Sequence, residues 1–128
     1  MADKFDVVIE PQRNLIRIAM RGHWDVETVR SYKEAVLAAV GKMRMAGCSP
    51  GEVVALVDIR DAGAQSQDVI AAYKDDLQGP DLVPRRLATL VTSALFKMQV
   101  ERIAIPNQRY FADEADALDW LLSTDPAK

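Results

Sequence analysis

The chain has 128 residues, 49% of them apolar, with a formal charge of −3 and a single cysteine, Cys48. That length suits one domain burying about two-thirds of its unfolded surface, expected over residues 1–124 with a short flexible tail over 125–128. The acidic balance argues against a nucleic-acid partner, the lone cysteine excludes an intrachain disulfide and fits a reducing cytoplasm, and without a long apolar run neither export nor membrane insertion is expected.

Phe5 to Glu10 is a short run rich in Val and Ile, and Pro11-Gln12-Arg13-Asn14 supplies turn chemistry before a second strand. In that strand Ile16, Ile18 and Met20 alternate with Arg17, Ala19 and Arg21, the two-residue period of a strand with one buried face. The pair predicts a hairpin. After Gly22, a helix opens at the N-cap Asp25, with Val26, Val29, Tyr32, Val36, Val40 and Met43 as its apolar stripe and Gly47 as its stop. Gly41 inside it costs about 1 kcal/mol against Ala, tolerable in a long helix. Met43-Arg44-Met45 is expected to close that helix end against the core.

The run Val53 to Ile59 is almost continuously apolar and β-branched, as an interior strand covered on both faces requires. Asp61 to Gln65 then reads as a loop, and Ser66 as the N-cap of a helix directing Val69, Ile70, Tyr73 and Leu77 inward, ended by Gly79-Pro80. Leu82 to Arg86 is a connector and Leu87 to Val91 the next buried strand. Thr92 or Ser93 can cap the following helix, Ala94 to Ala104, whose Leu95, Phe96, Met98, Val100 and Ile103 give a wide apolar side. Pro106-Asn107 breaks the chain, Arg109-Tyr110-Phe111 stands where a last strand belongs, and Asp113 caps Glu114 to Leu122. The order β-β-α-β-α-β-α-β-α predicts an α/β fold with a mostly parallel five-stranded sheet and one antiparallel edge strand from the opening hairpin.

In this order and spacing the chain resembles the SpoIIAA-like superfamily, which includes STAS domains and STAS/SEC14-type bacterial proteins. The residues that carry the resemblance are Ile16 to Asp25, Ala55 to Asp61, Leu87 to Ala104, and the ending Arg109-Tyr110-Phe111 with Glu114-Ala115 and Ala117-Leu118-Asp119-Trp120-Leu121. The resemblance implies a (βα)n superhelix and a role in regulation or binding rather than turnover. One departure stands out. Anti-sigma-factor antagonists of the family place an Asp-Ser-Ser-Gly-like phosphorylation loop after the central strand, where this chain has Asp61-Ala62-Gly63-Ala64-Gln65-Ser66-Gln67. Ser66 lies near the same place without the Ser-Gly pair, so it is not carried over as a phosphoacceptor.

His23 is the single histidine, at a strand end beside Trp24 and Asp25; a histidine there can act as general base or simply pack. A triad could be drawn from it with Ser66 or Ser93 and Asp58 or Asp61, but no G-x-S-x-G elbow, HExxH helix or Gly-rich phosphate loop accompanies them. Asp58, Arg60 and Asp61 fall at the carboxyl end of the central strand, the edge where open α/β sheets bind ligands. The alternative is that Asp58 accepts hydrogen bonds from nearby loop amides and Arg60 pairs with an acid. Thr92 and Ser93 belong to the same edge, as anion ligands at a helix N-terminus or as plain caps. Trp24 and Trp120 can stack on a ligand or close the core. No cofactor and no metal is implied. The expected function is a small cytoplasmic, non-enzymatic module that meets a protein partner or a second copy of itself. The alternative is an apolar or anionic small-molecule module of SEC14-like type, with Arg60, Thr92 or Ser93 steering a head group; a hydrolase using His23 comes third.

Overall fold

The computed structural model describes residues 4–76, 83–103 and 105–123. Strand β1 (Phe5–Glu10) turns through a 3-10 segment at Pro11–Arg13 into β2 (Leu15–Gly22). Asn14 takes the left-handed φ of 53° that this turn needs. Helix α1 (Val26–Met45) follows, then β3 (Val54–Ala62), α2 (Gln67–Asp76), β4 (Arg86–Leu90), α3 (Ala94–Ile103), β5 (Gln108–Phe111) and α4 (Glu114–Leu121). The sheet order is β1-β2-β3-β4-β5, with β1 antiparallel to β2 and every other neighbouring pair parallel. The expected architecture is therefore present, with β3 at its centre. Leu77, Gly79-Pro80, Leu82, Ala104 and the tail 125–128 lie outside the described residues.

Strand alternation divides the core in two. Ile16, Ile18, Val57 and Ile59 face a layer of α1, α2 and α3, meeting Val29, Tyr32, Val69, Phe96 and Val100. The intervening Leu15, Val54, Leu56, Ala88 and Leu90 face α4, which covers them with Ala117 and Leu121. Helix α4 packs on β3, β4 and β5. Beyond it, the same face of the sheet carries charge: Arg17 pairs with Glu114 at 2.8 Å and Arg21 with Asp6 at 2.9 Å.

The caps follow the chemistry of the sequence. Asp25 accepts the Thr28 N–H at 2.8 Å, Asp113 the Asp116 N–H at 3.2 Å, and Gly47, at φ 95°, ends α1. Several expectations are corrected. Strand β3 continues through Asp61 and Ala62, because β2 stays paired to it: Ala19 opposes Asp58 but Arg21 opposes Asp61, so β3 takes one extra residue as a bulge. Strand β4 begins at Arg86 and ends at Leu90, one residue earlier than its apolar run. Arg86 is buried at its first position, since its guanidinium donates to the Trp120 carbonyl and, at 2.9 Å, to Ser123 Oγ. With Arg85 on the Leu121 carbonyl, it supplies the cationic C-terminal cap that α4 lacks in its own last turn. Val26, Met45, Leu95 and Met98, apolar-face residues by sequence pattern, are exposed, because the helical stripe is narrower than a count of apolar residues suggests.

Candidate functional site

The loops after β2, β3 and β4 leave the sheet at one edge, and a glutamine ties the first two of them together. Gly22 takes φ 70°, turning the chain sharply out of β2. Gln65, in the loop before α2, reaches into that turn: its Oε1 accepts the Trp24 N–H at 2.7 Å, and its Nε2 donates to the carbonyls of Gly22 at 2.9 Å and Gly63 at 2.7 Å. Its own backbone is held from α3, where Gln99 accepts the Gln65 N–H at 2.8 Å and donates to the Gln65 carbonyl at 2.7 Å. Two amides thus join the β2–α1 loop, the β3–α2 loop and α3. Glutamines 34 residues apart match no motif, so nothing in the sequence signals this arrangement.

The candidate residues distribute around this clamp. His23 is exposed and its carbonyl accepts Lys4 Nζ at 2.5 Å. Among the described residues no hydrogen bond joins its imidazole to Ser66, Ser93, Asp58 or Asp61. Trp24 is buried, its Nε1–H donating to the Arg21 carbonyl at 3.1 Å and its ring packing 5.7 Å from Phe5 and 5.3 Å from Tyr32. Tyr32 stacks in turn on Tyr73 of α2 at 5.8 Å, and burial pushes the Tyr32 hydroxyl well above its ordinary range. Ser66 Oγ accepts the Val69 N–H at 3.3 Å and Ser93 Oγ the Phe96 N–H at 3.1 Å, so the serines cap α2 and α3. Thr92, the other candidate cap, is exposed.

Asp58 and Arg60 lie on the opposite face of the sheet. Arg60 donates Nε to Asp58 Oδ1 at 3.0 Å and Nη2 to Oδ2 at 2.8 Å, a bidentate pair, and its backbone N–H reaches Oδ1 at 3.0 Å. The hydrogen bonds from Arg60 hold the Asp58 carboxyl below its usual range. Asp61, past the bulge, stands opposite Arg21. The structure therefore gathers His23, Trp24, Ser66, Thr92 and Ser93 at the strand-end edge. It separates them from the Asp58–Arg60 pair.

Beneath the clamp, between the sheet and α2–α3, is an apolar cavity of about 50 Å³, walled by Trp24, Val57, Ile59, Leu87, Phe96 and Val100. Polar atoms reach it from Gln65, Thr89 and Gln108, and Thr89 Oγ1 donates to Gln108 Oε1. Arg60, Thr92 and Ser93 are not in its wall, contrary to the head-group arrangement drawn from the sequence, because Arg60 is on the far face and Ser93 is turned into its cap. An open hollow of about 350 Å³ lies near Arg13, Glu52 and Arg85, at the other end of the strands. Among the described residues no group of three His, Cys, Asp or Glu side chains could hold a metal ion, and no helix is long and apolar enough to cross a membrane.

Strand order, the antiparallel opening hairpin and the helix layers define a small module with the SpoIIAA-like fold. An uncharacterized protein of the DUF3478 family with a SpoIIAA-like fold, from Shewanella loihica, is similar to it at a TM-score of 0.65 and 23% identity, over 92% of this chain and 94% of that one. No protein-family model and no curated protein matches the sequence.

Proposed function

We propose that the chain is a non-catalytic cytoplasmic interaction module of STAS-like type, which offers a protein partner the strand-end edge together with the exposed side of α3. The observation that carries this reading is the Gln65–Gln99 clamp. It draws the loops of β2 and β3 against α3, and His23, Ser66 and Thr92 around it are exposed. Leu95 and Met98, 61% and 52% exposed on the first turns of α3, supply apolar area beside that edge. The test is capture from native lysate with the wild-type chain and with Leu95→Glu/Met98→Glu. A stoichiometric partner lost by the variant supports the reading; a partner held equally by both, or none with either, contradicts it.

A second reading, binding of a small apolar molecule, is favoured by the cavity between the sheet and α2–α3. Its volume of about 50 Å³ weighs against it, since an apolar cavity of about 150 Å³ is what admits benzene. Native mass spectrometry of protein purified without detergent decides this: a retained small-molecule adduct supports it, and bare protein alone removes it.

A further inference from the structure

We propose that β1 is the interface of a homodimer, in which the sheets of two copies join edge to edge in antiparallel fashion about a twofold axis at Val7. The hydrogen-bond phase of the hairpin sets the argument. The Arg21 N–H donates to the Lys4 carbonyl at 2.8 Å, and Lys4 stands opposite Arg21 in the register that pairs Phe5 with Met20. In an antiparallel ladder hydrogen-bonded pairs alternate with non-bonded ones. Asp6, Val8 and Glu10 therefore spend their backbone groups on β2, while the N–H and C=O of Phe5, Val7 and Ile9 point out of the sheet. The register between β1 and β2 has no bulge, and the strand contains no proline. The other outer strand, β5, has only four residues, and brevity is one way a sheet protects an edge. The β1 edge lacks that protection.

A second copy fits this edge better than an arbitrary strand. With the axis at Val7, Phe5 pairs with Ile9 of the second copy and Val7 with its own equivalent, so every outward N–H and C=O of those three residues finds a partner. Their side chains point toward the α1 layer, where Val7 and Ile9 are only partly buried in the monomer; the same register would close the core over them. Lys4 falls opposite Glu10 of the second copy, opposite charges directly across the strands, added to the contacts that Lys4 makes with the His23 carbonyl and Glu10 with Arg13 and Arg17 in the single chain. This interface lies at the far edge of the sheet from α3, so it leaves Leu95 and Met98 free and meets the strand-end edge only at Lys4, whose Nζ donates to the His23 carbonyl.

The experiment is light-scattering mass across a concentration series, read together with amide exchange by NMR. The expected mass rises to twice the 14.2 kDa of one chain, while the amides of Phe5, Val7 and Ile9 gain protection over the same concentrations. Val7→Pro removes an outward N–H that the hairpin does not use, a position where an edge strand tolerates proline, and is expected to keep its circular-dichroism spectrum and stay at single-chain mass. Lys4→Glu is expected to weaken the dimer, because it places like charges opposite each other. A wild-type chain at single-chain mass throughout, or a dimer whose Phe5, Val7 and Ile9 amides exchange freely, would overturn the proposal without recourse to any variant.

Discussion

Replacing Gln65 by alanine removes three hydrogen bonds at once, to the Trp24 N–H and to the carbonyls of Gly22 and Gly63. Each such bond contributes about 0.5–1.5 kcal/mol net, and a buried donor left without a partner costs about 1–3 kcal/mol. Gly22 is exposed and Gly63 half-buried, so water can replace the amide at both carbonyls. The Trp24 N–H, behind a buried indole, has less access to it. The expected loss is therefore about 2–3 kcal/mol, a large part of a typical stability of about 5–15 kcal/mol. Urea unfolding should show a midpoint lowered by roughly 1–2 M with the slope unchanged, and exchange at the Trp24 amide should quicken more than at core positions of β3. Gln99 holds the backbone of Gln65, so the double variant Gln65→Ala/Gln99→Ala should lose less than the sum of the singles, by about 0.5 kcal/mol or more. A loss below about 0.5 kcal/mol for Gln65→Ala, or strict additivity, would refute the claim that the two amides act as one clamp.

Other variants probe the remaining supports. Leu121 is fully buried under the sheet, and Leu121→Ala should cost about 2–5 kcal/mol in thermal or urea unfolding. Ser93→Ala removes the cap of α3 and should cost about 1 kcal/mol, measurable as faster exchange of the Phe96 amide. The folded-state pKa of Tyr32 is raised by burial, so its contribution is intact below pH about 10 and is lost as pH rises beyond the unfolded value; Tyr32→Phe should make the alkaline decline shallower. Asp58 has the opposite sign: its folded-state pKa is depressed, so its contribution holds above pH about 4 and fades as pH falls further. Asp58→Asn should flatten the acid limb of the stability profile.

Elements with strong period or cap chemistry were legible in the sequence. The alternation of β2, the Asp25 and Asp113 caps and the unbroken apolar run of β3 each describe a local preference that the tertiary structure keeps. Features that depend on contacts between distant segments were not. The extra residue of β3 arises from its pairing with β2 and leaves no glycine or proline as a mark. Arg86 looks like linker chemistry until α4 packs above it and presents carbonyls that need a cation. The exposure of Leu95 and Met98 depends on how α3 is rolled against the sheet, which Phe96 and Val100 decide. At the candidate site, the residue types at the strand-end edge could be named in advance, but their organisation by Gln65 and Gln99 could not.

The most direct test of the proposed partner surface is a hydrogen-exchange footprint of the captured complex against the free chain. Slowed exchange is expected in the loops around Gly22–Trp24 and Gly63–Ser66 and along the start of α3, with the charged sheet face around Arg17 and Asp58 unchanged. Protection confined to that charged face, with the loops and α3 exchanging as in the free chain, would contradict it.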